Sequence, residues 1–299
     1  MLVIPVCLAL LLASPAAAQD KVRIDPDRFT GTLEKIKNSG AIRLGYPEHT
    51  VPFAFLAGGH PTGYSIDLCL ALVAAMSAEL GGIEPRVEYR PVGPQNRFSL
   101  LITGDIDLEC GSSTNSAERR EKVSFSPVIF VTGTKLLVKR DSPVNSLRDL
   151  RRKTIVVTAG TTNAAAVEAL SEKQRLGINF VVSPIVRNSY EILASDKADA
   201  FANDEVLLNA WIAEGRSRDD YRIAGDLLSY ESYGLMYRKD DFQLADIVER
   251  TFQRLAKSGE VARLYKKWFV APLPSGVSLN LPMSAELADS VQALALLAD

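Results

Sequence analysis

Histidine and cysteine are nearly missing from this 299-residue sequence, which has two of the first and three of the second. His49 and His60 stand eleven apart and no C-x-x-C occurs, so a zinc site lacks the ligands to be built. A surplus of positive charge is missing too. The 34 Lys and Arg face 36 Asp and Glu, which excludes the strongly basic surface of a dedicated nucleic-acid binder. Reaction motifs are equally scarce: there is no G-x-S-x-G elbow, P-loop, G-x-G-x-x-G or H-E-x-x-H. A Ser-His-Asp triad would have to recruit His49 or His60, both in loop-like sequence. Asp105 and Asp107 read as solvated turn residues rather than an acid–base pair. Neither catalysis nor a cofactor is expected. What remains is the composition of a folded protein, 47% hydrophobic and 23% charged, long enough for two ordinary domains or one large one.

The first eighteen residues carry no charge. Leu2 to Leu12 is apolar apart from Pro5, and Ser14-Pro15 leads into Ala16-Ala17-Ala18, a peptidase-type site predicting a mature start at Gln19. No Lys or Arg precedes the apolar stretch, which departs from the usual leader. A buried N-terminal helix is the other reading, and the polar Asp20-Lys21 speaks against it. Cys7 lacks a lipid-attachment context. Export to the periplasm puts Cys69 and Cys110 in an oxidising compartment, where they form either one disulfide or two buried thiols.

Along the rest of the chain, strands and helices alternate. Ala41–Tyr46, Arg86–Arg90, Asp107–Cys110, Lys135–Lys139, Thr154–Val157, Asn179–Ser183, Ala200–Ala202 and Tyr233–Arg238 read as strands. Leu33–Lys37, a helix from Ser65 stopped by Gly81-Gly82, Arg97–Thr103, Leu147–Leu150, Ala164–Leu170, Tyr190–Ser195 and Asp246–Ser258 read as helical. Val51-Pro52-Phe53 and Gly58-Gly59-His60-Pro61 read as loops. Such alternation predicts an α/β fold with mostly parallel sheets.

Open parallel sheets bind ligands beyond the carboxyl ends of their strands, where loops enter helix N-termini. Two hydroxyl-rich segments fall there: Gly111-Ser112-Ser113-Thr114-Asn115, followed by Arg119, and Thr158-Ala159-Gly160-Thr161-Thr162. Both can approach a small anion, and Arg119 can grip a carboxylate with two N–H groups. Asn203-Asp204-Glu205 offers a carboxylate for an ammonium group. Each has a plain structural reading as a helix cap or a solvated arginine. Together they supply what a zwitterionic amino acid needs.

At these residues the chain resembles the solute-binding proteins of polar amino-acid ABC importers (family 3), and within them the glutamate/aspartate-binding branch. Gly63-Tyr64-Ser65-Ile66-Asp67-Leu68 is similar to the signature G-[FY]-[DE]-x-[DE]-[LIV], with Ser65 departing from its acidic third position. Gln95-Asn96-Arg97, Glu109 to Asn115 with Glu118-Arg119, Gly160-Thr161-Thr162, Ser258-Gly259-Glu260 and Lys267-Trp268-Phe269 follow in family order. The likeness runs from about Gly31 to Leu294. It implies a two-lobed periplasmic binding protein of type II, each lobe a mostly parallel sheet flanked by helices, joined by two crossovers. Lobe 1 is expected over 19–134 plus 234–299, and lobe 2 over 135–233.

By the same resemblance, Arg119 clamps the ligand α-carboxylate, helped by the amides around Thr161 and Thr162. Ser112, Thr114 and Asp204 receive the α-ammonium, and Arg97 and Thr158 address the side chain. The departures gather at that side-chain end. Pro47 stands where the branch has an arginine, Pro94 where it has a serine, and Arg187 where it has a histidine. An acidic ligand is the favoured expectation, with a neutral or larger amino acid as the alternative. The implied partners are that amino acid and the permease and ATPase of an importer, with no nucleic acid; a monomer is expected. A dehydratase of the cyclohexadienyl or arogenate type and a sensory amino-acid-binding module share the fold and stand as alternatives.

Overall fold

The computed structural model describes residues 28–298, so the leader expected over 1–18 lies outside the described residues. Strands β1 (Ala41–Tyr46), β2 (His49–Thr50), β3 (Ala54–Ala57), β4 (His60–Thr62), β5 (Arg86–Pro91) and β6 (Leu108–Thr114) come first. They are followed by β7 (Val123–Phe125), β8 (Phe130–Lys139), β9 (Thr154–Thr158), β10 (Asn179–Ser183), β11 (Ala200–Asp204) and β12 (Tyr221–Arg238). The α-helices are α1 (Gly31–Ser39), α2 (Tyr64–Glu79), α3 (Arg97–Thr103), α4 (Ala117–Arg120) and α5 (Thr162–Lys173). After these come α6 (Val186–Ala194), α7 (Glu205–Glu214), α8 (Phe242–Lys257), α9 (Glu260–Tyr265) and α10 (Ala285–Leu296).

Two parallel triads form the frame. In one, β1 lies between β5 and β6; in the other, β9 lies between β10 and β11. Between the triads run β8 and β12, antiparallel to each other, with β8 also paired to β11 and β12 to β6. The strand path is therefore β10-β9-β11-β8-β12-β6-β1-β5. This is the two-lobed α/β architecture expected above, with parallel pairing inside each lobe and antiparallel pairing at the crossing.

The crossing strands are longer than the sequence predicts. β8 begins at Phe130 rather than Lys135, and β12 at Tyr221 rather than Tyr233. Their added stretches, residues 130–134 and 221–232, carry no regular apolar alternation, and where they pair Thr132 and Thr134 face Glu231 and Ser229. The segments around His49 and His60, expected as loops, pair with β3 between them as a small antiparallel sheet β2-β3-β4.

Each triad has its own core. Leu33, Ile42, Leu68, Leu108 and Phe252 belong to the first, Leu136, Ile155 and Val167 to the second. An aromatic cluster in the first lobe matters for the site. Phe130 stacks on Phe269 at 4.7 Å, and Phe53 meets Tyr233 edge-on at 5.2 Å. Offset and edge-on rings at such spacings hold each other in place. Tyr233 is thereby fixed with its hydroxyl emerging toward the crossing.

The question left open for Cys69 and Cys110 is answered by a disulfide. Their Cα atoms are 6.2 Å apart, and the bridge ties α2 to β6 one residue before Gly111. Both cysteines are fully buried.

Candidate functional site

β6 ends in Ser112-Ser113-Thr114, and Ser116 then caps α4, its hydroxyl accepting from the Arg119 backbone N–H at 3.3 Å. This short helix turns Arg119 inward until only 9% of it is exposed. Its Nη1 donates to the Thr114 carbonyl at 3.1 Å, and its Nη2 reaches into the other lobe, to the Gly160 carbonyl at 3.4 Å. A guanidinium has five N–H donors, so most of its capacity is uncommitted. Arg97, at the start of α3, donates through Nη1 to Ser113 Oγ at 2.8 Å. Both guanidiniums lie against the ring of Phe98, at 5.5 Å for Arg97 and 5.2 Å for Arg119. Burial, and secondly the repulsion of Arg97, bring the Arg119 pKa down to about 10, against the attraction of Glu231, Glu109 and Asp204.

The second lobe faces this group with the turn after β9. Thr161 caps α5: its hydroxyl accepts from the Ala164 N–H at 3.2 Å and donates to the Thr158 carbonyl at 2.7 Å. Gly160 has a φ of +74° and packs against Pro94 of the first lobe, where a Cβ would stand 3.1 Å from the Pro94 carbonyl oxygen. Only glycine meets both conditions without strain. Thr162 Oγ1 lies 3.3 Å from Thr114 Oγ1 and donates to Glu231 Oε2 at 2.8 Å. The lobes therefore meet here through hydroxyls and one guanidinium.

Asp204 closes β11. Asn163 Nδ2 donates to its Oδ1 at 2.8 Å and the Tyr233 hydroxyl donates to its Oδ2. Burial first, then the neighbouring Glu231, push the Asp204 pKa up to about 6, against those hydrogen bonds and Arg119. Asn163 Nδ2 also bonds Thr134, Thr134 shares a hydrogen bond with Ser229, and Ser229 donates to Glu231 Oε1 at 2.5 Å. Glu109, on β6, is fully buried; Ser113 Oγ donates to its Oε2 at 2.7 Å. Arg97, Glu109 and Asp204 border one cleft, and Arg119 and Glu231 are bonded to its residues Thr114 and Thr162.

That cleft encloses about 260 Å³ between the lobes. Arg97, Ser112, Thr114, Thr161, Thr162, Asp204 and Arg187, all expected from the sequence, border it. Arg119 lies behind Thr114, whose carbonyl it holds, and is not itself on the cleft wall. Thr158, named with them, is buried with its hydroxyl 2.9 Å from Ser189 and is not on the cleft wall. Arg187 stands at the mouth, two-thirds exposed and 3.5 Å from Glu191. Pro47 and Pro94 border the cleft and bring no donor, while Ile185, Leu207 and Trp211 make its outer wall apolar. Sequence reasoning missed Glu231, Tyr233, Asn163 and Phe98, none of which sits in a hydroxyl-rich turn. Three buried side-chain atoms without a partner all belong to cleft residues: Arg97 Nε, Glu109 Oε1 and Asn203 Nδ2. Among the described residues, no group of three His, Cys, Asp or Glu side chains is placed to hold a metal.

A cleft with one guanidinium on its wall and another behind it, a carboxylate from the opposite lobe and hydroxyls from both suits a small dipolar molecule. Comparison with known proteins points the same way. The family model for bacterial extracellular solute-binding proteins, family 3, matches residues 42–271. The L-glutamate/L-aspartate-binding protein of Pseudomonas aeruginosa is 39% identical over 282 residues, 93% of this chain and 91% of that protein. The glutamate/aspartate import solute-binding protein of Escherichia coli is 37% identical over 264 residues, 88% of this chain and 86% of that protein. Among solved structures, a mutant of ArgBP from T. maritima superposes with a TM-score of 0.71 at 26% identity. It covers 80% of this chain and 99% of that one.

Proposed function

The chain belongs to the bacterial extracellular solute-binding proteins of family 3, and on that premise we propose that it captures an acidic amino acid for an ABC importer. Arg119 holds the α-carboxylate together with the amides at Thr161 and Thr162. Asp204, Ser112 and Thr114 hold the α-ammonium, Arg97 faces the ligand side chain, and Arg187 guards the mouth. The lobes divide as 19–134 plus 234–299 and 135–233. Contacts from both would favour the closed state, which a membrane permease and its ATPase would read without any covalent step. The protein acts as a monomer in the periplasm, after removal of a leader ending at about Ala18.

The observation that carries this reading is the approach of Arg119 and Asp204 to one cleft from different lobes. The buried Arg119 guanidinium sits behind the cleft residue Thr114 and reaches the Gly160 carbonyl of the other lobe, while the buried Asp204 carboxylate borders a cleft of amino-acid size. Glutamate and aspartate are the leading ligands, because those are named for relatives 37% and 39% identical over most of the chain. Their second carboxylate needs a paired cation, and Arg97 supplies it. A thermal-shift screen of the purified protein against the twenty amino acids and common dicarboxylates tests the proposal. A ligand that binds only the native state raises the melting temperature by mass action. Glutamate or aspartate should give the largest rise; no rise with any amino acid would overturn the assignment.

A further inference from the structure

Arg97, Ser113 and Glu109 form a chain of hydrogen bonds that stops short at both ends. Arg97 Nη1 donates to Ser113 Oγ, which donates to Glu109 Oε2. Beyond it, Arg97 Nε and Glu109 Oε1 are buried and have no hydrogen-bond partner, and both residues border the cleft. Buried polar atoms are rarely left this way, because each forfeits its solvation without a replacement bond. The Glu109 oxygen occupies the space above the Gly111 Cα that a Cβ would otherwise fill, beside the Pro47 ring. A donor and a carboxyl oxygen thus stand unused together, on the part of the cleft bordered by Arg97.

We propose that Glu109 is a specificity-determining residue for the side chain of the bound amino acid. Its free oxygen and the free Nε–H of Arg97 receive the ligand's terminal group, Glu109 donating a hydrogen bond to a carboxylate when protonated and accepting one from a carboxamide when ionised. This deepens the amino-acid-capture reading and rests on it. A carboxylate has acceptors only, so it can be satisfied here when Glu109 carries a proton; a carboxamide offers its oxygen to Arg97 and an N–H to ionised Glu109. Burial pushes the Glu109 carboxyl up, against the pull of Arg97, Ser113, Arg119 and the backbone N–H of Gly111. The groups facing it are Arg97 from α3, Arg119 from α4 and Ser113 from its own strand. The flanking strands place Gly45 and Met236 opposite it, and α2 contributes Ser65, bonded to the Gly111 carbonyl. Glu48 and His49 border the cleft beyond Pro47. Asp204 belongs to the ammonium end, which glutamate and glutamine share, so its titration cancels when the two ligands are compared.

The test is calorimetric binding of L-glutamate and L-glutamine from pH 6 to 8.5, in paired buffers of different ionisation enthalpy, with the wild type and Glu109→Gln. In the wild type, glutamate should bind with more proton uptake than glutamine. The ratio of their dissociation constants should move against glutamate by up to about tenfold per pH unit above the free-state Glu109 pKa. Glu109→Gln, whose amide always carries a donor, should hold that ratio flat. A pH-independent ratio in the wild type, or an equal slope in both proteins, would overturn the role of Glu109 while leaving amino-acid capture standing. Absence of binding by every amino acid would overturn both. The wild-type titration stands without the variant, so a misfolded Glu109→Gln protein would not rescue the idea.

Discussion

The unliganded protein should become more stable as the medium is acidified from neutrality toward pH 4, measured against an Asp204→Asn variant. Asp204 is fully enclosed, next to Glu231, and its pKa stands at about 6 against an ordinary 3.8. The folded state therefore holds a proton that the unfolded chain has released between those values. The stabilisation this brings is fully present below pH 3.8 and is lost as pH rises through 6. At 1.36 kcal/mol per pKa unit, the difference amounts to about 3 kcal/mol. Glu109 acts in the same direction, and acid-labile surface pairs act in the other, so absolute stability mixes several groups. The difference between the two proteins isolates Asp204. Urea melts of both at pH 4, 5, 6 and 7, without ligand, should show the wild type gaining about 2.4 kcal/mol on the variant across that range. A gap constant within about 0.5 kcal/mol would refute the reasoning, because a carboxyl of ordinary pKa titrates alike in both states over most of that window.

Three further outcomes follow from the geometry. Arg119→Ala should abolish detectable binding of every amino acid by calorimetry, since removing one partner of a buried charge contact costs about 2–5 kcal/mol and leaves the acidic side chains facing one another. Gly160→Ala should weaken ligand affinity several-fold, because a Cβ at φ +74° carries strain and stands 3.1 Å from the Pro94 carbonyl where the lobes meet; unaltered affinity would show that this approach has no part in closure. Reduction of the Cys69–Cys110 bridge, which closes a loop of 41 residues in sequence separation, should cost about 4 kcal/mol in the loop-entropy account. In differential scanning fluorimetry with and without reductant, that corresponds to a melting temperature roughly 10 °C lower. The control is a Cys69→Ser/Cys110→Ser protein, which reductant should leave unmoved.

Much of the frame could be read in advance because its signals are local. The triad strands are short apolar runs or, in β5, an alternating one, and each recurs at the expected place. The cleft loops announced themselves for the same reason, as clusters of small hydroxyl residues at strand ends. Glu231 gave no such notice. It lies in the polar stretch Ser-Tyr-Glu-Ser-Tyr, and its importance comes from Thr162, 69 positions earlier, which reaches it only once the lobes are folded together. Tyr233 is similar: nothing nearby in sequence says that its ring is held by Phe53 and Phe130 while its hydroxyl serves Asp204. Phe98 reads as an ordinary core residue of a short helix, yet two cations share its face. Thr158 went the other way, since its position in a hydroxyl cluster pointed to the cleft and its own hydroxyl turned to Ser189.

The paired strands β8 and β12 have a mechanical consequence. The chain passes between the lobes along these two neighbours, hydrogen-bonded over Phe130–Thr134 with Ser229–Tyr233, and their register slips between Ala224 and Ser229. Two side-by-side straps stitched together resist twisting and sliding far more than they resist folding about a line drawn across them. One rotation is thereby left cheap and the others dear. Whatever settles in the gap need only bias a single angle for the whole molecule to present a different profile to its surroundings.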